Sequence, residues 1–288
     1  MPASALAAPD RAQISIERGH TSGVQTKRRV LMCAPTYFDI EYSINPWMHL
    51  ERPPDDAQAA RGWDQLYQAY KDLDFDVGLI GAVNHLPDLV FTANGGLAID
   101  GRLMLSRFLY KERQGETPIF KEWFEEAGYR DIYMPEHEFE GEGDALLCGR
   151  TLLAGHGFRS SLESHKELHD YFDLEVVSLK LVDPRYYHVD TCLSVLDDET
   201  IMFYPAAFDA ASQEKLRSIV PHVIEANDAD AEAFGLNAYS DGHNVMLSDR
   251  ASGLMGILRS RGFNPVGINI AEFQKAGGGV KCLTLELR

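Results

Sequence analysis

A thiol, an imidazole and several acids and amides stand at comparable places along the 288-residue chain. Cys282 follows Gly277-Gly278-Gly279 and precedes Leu283-Thr284-Leu285. A glycine run lets backbone approach a ligand closely, so the spacing predicts an exposed thiol there. Lys281 beside it, or a nearby protonated histidine, would lower its pKa toward the reactive thiolate. His188 lies in Tyr186-Tyr187-His188-Val189-Asp190-Thr191-Cys192. Strand alternation would turn His188 and Asp190 to one face, where both can meet one ligand. In Phe139-Glu140-Gly141-Glu142-Gly143-Asp144 two glycines permit bends that gather carboxylates into one cavity. A carboxylate there can orient a histidine or hold a cation. One cysteine, one histidine and acids or amides from separate segments is the inventory of a thiol-nucleophile enzyme.

Each residue also has a plainer reading. A lone cysteine is usually inert and buried, a lone histidine usually sits satisfied in a core, and an acidic glycine turn is often just solvated. Cys33, Cys148 and Cys192, embedded in apolar strands, take the inert reading, and His156 and His243 the structural one. No C-x-x-C spacing occurs, so neither a zinc site nor a disulfide framework is indicated, and a reducing cytosol fits best. No phosphate-cradling G-x-G-x-x-G or G-K-[ST] sequence occurs either.

What could bring such distant residues together is a repeat. A short strand, a polar turn and a second strand recur at Asp100-Gly101, Cys148-Gly149, Asp197-Asp198 and Asp241-Gly242. The interval is roughly 45 to 50 residues, a range that signals repeated supersecondary units. Helical patterns follow over Asp56 to Leu73, Pro118 to Ala127, Ser161 to Phe172, Ala211 to Ile219 and Ala251 to Arg261. A further strand follows each helix. Five strand-turn-strand-helix-strand units result if the strand near Leu31 and a C-terminal strand from Leu283 to Leu287 complete the cycle; a two-layer α/β sandwich is the simpler alternative. In the cyclic arrangement the polar residues that begin the inner strands ring one mouth: Asn94, Glu140 with Asp144, His188 with Asp190, Asn237, and Cys282.

Composition narrows the classes. With 45% apolar and 25% charged residues the chain is an ordinary globular one. No apolar run approaches the ~18 to 20 residues of a membrane span. A formal charge of -17 removes the phosphate attraction on which nucleic-acid binding depends. Residues 1–27 lack a signal-peptide core and read as a flexible tail, with a single catalytic domain expected over 28–288.

Taken together, Pro87-Asp88-Leu89-Val90-Phe91-Thr92-Ala93-Asn94, the Glu140-to-Asp144 turn, His188-Val189-Asp190 and the ending Gly277-Gly278-Gly279-Val280-Lys281-Cys282 resemble the guanidine-modifying enzymes of the pentein superfamily. These include arginine deiminase, dimethylargininase, glycine amidinotransferase and the arginine dihydrolases. The likeness runs from about Arg29 to the C-terminus. It implies a five-bladed α/β-propeller of pseudo-fivefold ββαβ-type repeats. It also implies Cys282 as nucleophile, His188 as proton shuttle, Glu140 as support for the histidine or guanidinium, and Asp190 as a grip on guanidinium nitrogens. Arg113 and Arg159 correspond to the arginines that bind the substrate's α-carboxylate, a task suited to a guanidinium fork. Phe91 corresponds to the aromatic that packs on the guanidinium plane.

Departures set the subtype. Dimethylargininase typically carries Lys at the position of Asp190, and arginine deiminase carries Asp at that of Asn94. Ile44-Asn45-Pro46-Trp47-Met48, Phe91 to Asn94 and Lys111-Glu112-Arg113-Gln114-Gly115 are most similar to arginine dihydrolases. That likeness makes Asn45 a further substrate-binding candidate and implies conversion of arginine to ornithine, ammonia and carbon dioxide through citrulline. Asn94 has a physical reading too, since a carboxylate has no donor for a ureido oxygen whereas an amide both donates and accepts. The alternatives are a dimethylargininase or deiminase that stops at citrulline, an amidinotransferase, or a propeller that binds without chemistry. The expected partner is a small guanidino or ureido molecule, with no cofactor, metal, nucleic acid or membrane, and with oligomerisation possible.

Overall fold

In the computed structural model residues 28–288 are described, and the expected N-terminal tail lies outside them. Among these residues the chain forms five three-stranded sheets. In order along the chain the elements are β1 (Arg29–Cys33), α1 (Asp56–Asp72), β2 (Asp76–Ile80), β3 (Gly96–Ile99), β4 (Arg102–Leu105), α2 (Glu116–Glu126), β5 (Asp131–Tyr133), β6 (Ala145–Cys148), β7 (Thr151–His156), α3 (Ser164–Phe172) and β8 (Glu175–Lys180). They continue as β9 (Leu193–Asp197), β10 (Thr200–Phe203), α4 (Ala210–Ile219), β11 (His222–Glu225), α5 (Asp228–Glu232), β12 (Tyr239–Ser240), β13 (Asn244–Ser248), α6 (Ser252–Ser260), β14 (Asn264–Ile268), α7 (Ala271–Gln274) and β15 (Leu285–Glu286).

Every sheet obeys one rule: an antiparallel inner pair, then a helix, then an outer strand parallel to the middle one. Turn chemistry makes the inner hairpins possible, since Asp100, Gly101, Gly149 and Gly242 all take positive φ. The fifth inner pair joins the chain ends, with Val30 opposite Glu286 and Leu31 opposite Leu285. The expected C-terminal strand therefore forms and completes the first sheet, though it is shorter than Leu283 to Leu287.

Helices cover the sheets with apolar faces. In α1, Asp55 caps the start by accepting from the Gln58 N–H, and Ala59, Trp63, Leu66 and Tyr70 are buried at helical spacing. Gly62 is required there, because a Cβ would lie 2.2 Å from the Asn269 carbonyl oxygen. In α2, Glu116, Phe120 and Phe124 share the buried face. Burying each phenylalanine contributes roughly 2–3 kcal/mol. This helix begins before the expected Pro118 because proline is tolerated in a first turn, whose N–H groups have no intrahelical partner. By contrast α3 starts later than expected, at Ser164; the Ser161 N–H donates to the Glu138 carbonyl and its hydroxyl accepts the Ser164 N–H.

The polar residues at the starts of the inner strands are not in strands. Thr92–Gly95, Gly141–Gly143 and Val189–Thr191 are short 3₁₀ turns just before β3, β6 and β9, the last two separated from their strands by Asp144 and Cys192. Strand alternation consequently does not relate His188 to Asp190; a tight turn does.

Candidate active site

The 3₁₀ turns deliver their side chains to one buried region. Cys282 Sγ donates to Asp190 Oδ2 at 3.2 Å and receives Asn237 Nδ2 at 3.1 Å. Asn237 also holds the cysteine backbone, its Oδ1 accepting the Cys282 N–H at 3.2 Å, while its amide donates to the Asp190 carbonyl at 3.0 Å. Asn237 was recognisable as the first polar residue of the fifth unit, but its bond to sulfur had no sequence signal.

His188 Nε2 lies 2.7 Å from Glu140 Oε2, and Arg159 Nη1 donates to that same oxygen at 3.0 Å. Burial works to raise the Glu140 pKa, but Arg159 and then His188 outweigh it and hold the carboxyl well below its ordinary range. An ionised Glu140 makes Nε2 the protonated nitrogen. That leaves His188 Nδ1 buried with no hydrogen-bond partner among the described residues. Asp190 Oδ1 and Asp88 Oδ1 are equally buried and equally unpaired. Asp144 fixes the His188 turn from behind, accepting the Val189 N–H at 3.1 Å and the Ser160 hydroxyl at 2.6 Å. Gly143 is obligatory at this point, because a Cβ would sit 2.2 Å from Asn94 Nδ2 and 3.2 Å from His188 Nδ1.

Asn94 is oriented by Arg113, whose Nη1 donates to Asn94 Oδ1 at 2.8 Å. The amide nitrogen is thus turned the other way and donates only a long 3.3 Å bond to the Glu140 carbonyl. Arg113 is otherwise occupied, binding both oxygens of buried Glu116 at 2.8 Å and the Asp88 carbonyl at 3.1 Å. Arg159 has more donors to spare; besides Glu140 it binds the Ile44 carbonyl at 3.0 Å and lies between the rings of Tyr110 and Tyr187. Asn45 spends its amide on structure, donating to the Ala276 carbonyl and accepting the Trp47 N–H. Phe91 packs against Phe38 and Phe273, and Gly278 admits its ring, since a Cβ would come within 2.2 Å of it.

Two expectations about the thiol are corrected. Cys282 is 2% exposed, not open to solvent, because the glycine run is closely packed: Gly277 borders Asn45 and Tyr187, and Gly279 borders Asn237. The Lys281 ammonium is not bonded to the sulfur but donates to Glu142 Oε2 and the Thr284 carbonyl. Burial first, and Asp190 second, push the Cys282 pKa well above that of a free thiol. Burial also raises Cys33 to about 12 and Cys148 to about 11, and Cys192 well above its usual range. What sets Cys282 apart is its side-chain company. Among the described residues no cluster of three or more His, Cys, Asp or Glu is arranged to hold a metal, and no helix is long and apolar enough to cross a membrane.

Five like sheets and a buried cysteine, histidine and acid set from separate repeats are the marks of the guanidine-modifying pentein superfamily, and comparison with known proteins agrees. The family described as N,N dimethylarginine dimethylhydrolase, eukaryotic, matches residues 45–288, and the chain belongs to it. It is 46% identical over 260 residues to the N(G),N(G)-dimethylarginine dimethylaminohydrolase of Mycobacterium tuberculosis, covering 90% of this chain and 86% of that protein. It is 44% identical to the bifunctional arginine dihydrolase/ornithine cyclodeaminase AgrE of Nostoc sp., again over 90% of this chain but only 38% of the relative. The crystal structure of the N-terminal domain of the cyanobacterial arginine dihydrolase ArgZ, a cysteine-to-serine variant bound to substrate, superposes with a TM-score of 0.87. That domain is 41% identical, and the match covers 91% of this chain and 98% of that one.

Proposed function

We propose that this chain is a cysteine-dependent hydrolase of the guanidinium C–N bonds of free L-arginine, giving ornithine, two ammonia and carbon dioxide by way of citrulline. One observation carries the reading: Cys282 Sγ lies 3.2 Å from Asp190 Oδ2, in a buried region where His188 Nδ1 and the second Asp190 oxygen have bonding capacity unspent. Residues 28–288 form one catalytic domain, a closed five-bladed propeller. Supporting the closure, Leu287 bridges Ala98, Arg107 bridges Phe139, Leu181 bridges Phe208, Ser194 donates to the Ala238 carbonyl and Tyr70 packs on Tyr239.

The arrangement would work as follows. A guanidinium enters beside Asp190 and Asp88, on the Phe91 wall and past Asn45, while Arg159, assisted by Arg113, binds the α-carboxylate. Its positive charge offsets the burial that keeps Cys282 a thiol, the proton leaves to His188 Nδ1, and sulfur bonds to the guanidinium carbon. His188 returns that proton to the departing nitrogen, and ammonia leaves with cleavage of the C–N bond. Water then attacks the thiouronium carbon, loses a proton to His188 and displaces sulfur, releasing citrulline. In the second round sulfur attacks the ureido carbon, with Asn94 Nδ2 donating to its oxygen. Ornithine departs, and water cleaves the carbamoyl thioester to carbamate, which decomposes to ammonia and carbon dioxide. The reaction fits a protein of reducing cytosol and needs only residues of this chain.

A second reading, dimethylarginine hydrolysis to citrulline, is favoured by the family match and by the mycobacterial relative. Incubating the protein separately with arginine, citrulline and N,N-dimethylarginine, and quantifying ornithine, citrulline and amine, separates the two. Ornithine formed from citrulline is the expected outcome. Citrulline as sole product from either arginine or dimethylarginine would reject the two-round cycle.

A further inference from the structure

Lys281 and Glu142 take no part in the chemistry above, yet each is tied by the chain to a group that does. Lys281 precedes Cys282, and Glu142 follows Glu140 by two residues. Lys281 Nζ donates to Glu142 Oε2 at 2.6 Å and to the Thr284 carbonyl at 3.1 Å. The same Glu142 oxygen accepts the Glu286 N–H at 2.9 Å. Glu286 in turn lies 3.6 Å from Lys281 and 2.8 Å from Arg288. Lys281, Glu142 and Glu286 are all buried.

A buried ion pair is a poor source of stability, because desolvating two charges offsets most of their attraction; fixing one arrangement among alternatives is the better-attested use. Here the pair joins the two turns whose separation matters for reaction. We propose that Lys281 and Glu142 are positioning residues, their ion pair locking the turn that carries Cys282 against the turn that carries Glu140. The ammonium also acts on Asp190, lowering a pKa that burial has raised. This role rests on Cys282 being the nucleophile.

The test compares Lys281→Met, Lys281→Arg, the neutral double variant Lys281→Met with Glu142→Gln, and Cys282→Ser. Each is assayed as full-length, folded protein on whichever of arginine and dimethylarginine the wild type turns over. Lys281→Met and the double variant should lose about 10- to 50-fold in kcat with KM changed less than about threefold. Their acid limb of kcat/KM should move to higher pH, since Asp190 loses a neighbouring cation while His188, Asp144 and Cys282 remain around it. Lys281→Arg should stay near the wild type. A double variant with wild-type kcat and acid limb overturns the proposal, as does a loss that merely tracks the folded fraction. If the methionine variants do not fold, Glu142→Gln carries the same kcat expectation, and wild-type kcat there overturns it. Turnover by Cys282→Ser, or none by the wild type, removes the nucleophile assignment and this role with it. An inactive Cys282→Ser beside a fully active double variant removes this role alone.

Discussion

Two ionic clusters adjoin the turn of Cys282, and they are built differently. In the one reached through Lys281, the charges of Glu142, Lys281, Glu286 and Arg288 are all matched. In the other, more deeply buried, His188 Nδ1, Asp190 Oδ1 and Asp88 Oδ1 have no hydrogen-bond partner among the described residues. Unpaired buried polar atoms are costly, of order 1–3 kcal/mol each. In the proposed reaction these three atoms are the ones a bound substrate would satisfy. Arg29 Nη2, Trp63 Nε1, Ser106 Oγ and Tyr186 OH are also buried and unpaired, so neither burial nor unspent capacity marks this site alone; their coincidence with the Cys282 thiol does.

The comparison can be broken most sharply at the sulfur. Cys282→Ser should lower turnover of every accepted substrate by at least about 10⁴-fold, while the thermal melt stays near that of the wild type; measurable steady-state turnover would remove the site from this cluster. A smaller and more selective loss is expected from Asn94→Asp. The carboxylate keeps an acceptor for Arg113 but loses the donor for a ureido oxygen, so citrulline hydrolysis should fall about 10²-fold relative to arginine hydrolysis. An unchanged product ratio would show that Asn94 does not govern the second round.

Acid titration sharpens the contrast further. Burial pushes Asp190 up to about 6, so kcat/KM should fall about tenfold per pH unit below that value as the carboxylate loses its charge. Stability should move the other way. The folded-state pKa lies above the unfolded one, so this group's stabilising contribution is fully present below about 3.8 and is lost as pH rises through about 6. Glu116, raised by burial to about 7, acts in the same direction. Inactivation near pH 5 with an undiminished thermal melt is the expected result; coincident unfolding would contradict it. Least affected should be Cys192→Ala. Its thiol donates to the carbonyls of His188 and Val189 and packs in the apolar core, so turnover should stay within about threefold and stability fall by roughly 1–2 kcal/mol.

Much of this was legible because the repeat advertises itself. Aspartate and glycine at the tips of four hairpins need positive φ or a tight turn, a local demand that sequence records directly. Once those turns are aligned, Asn94, Glu140, His188, Asn237 and Cys282 occupy like places, and the site follows from the period. Less legible was anything decided by packing between units. The bond of Asn237 to sulfur, the closure of the glycine run by Phe91 and Tyr187, and the turning of Lys281 toward Glu142 all join residues roughly 45 to 190 positions apart, and no local pattern encodes such pairs. The 3₁₀ turns were missed for a related reason: three or four residues are too few to establish a helical period.

One oxygen atom, Oε2 of Glu140, accepts from both His188 and Arg159. In the proposed reaction, substrate anchor and acid–base group are thereby wired through a single point. A substitution at Arg159 intended to probe substrate affinity would also take away the main cation keeping Glu140 deprotonated, so KM and kcat should deteriorate together. On that reading, kinetics that assign the arginine to binding alone would miss its hold on Glu140.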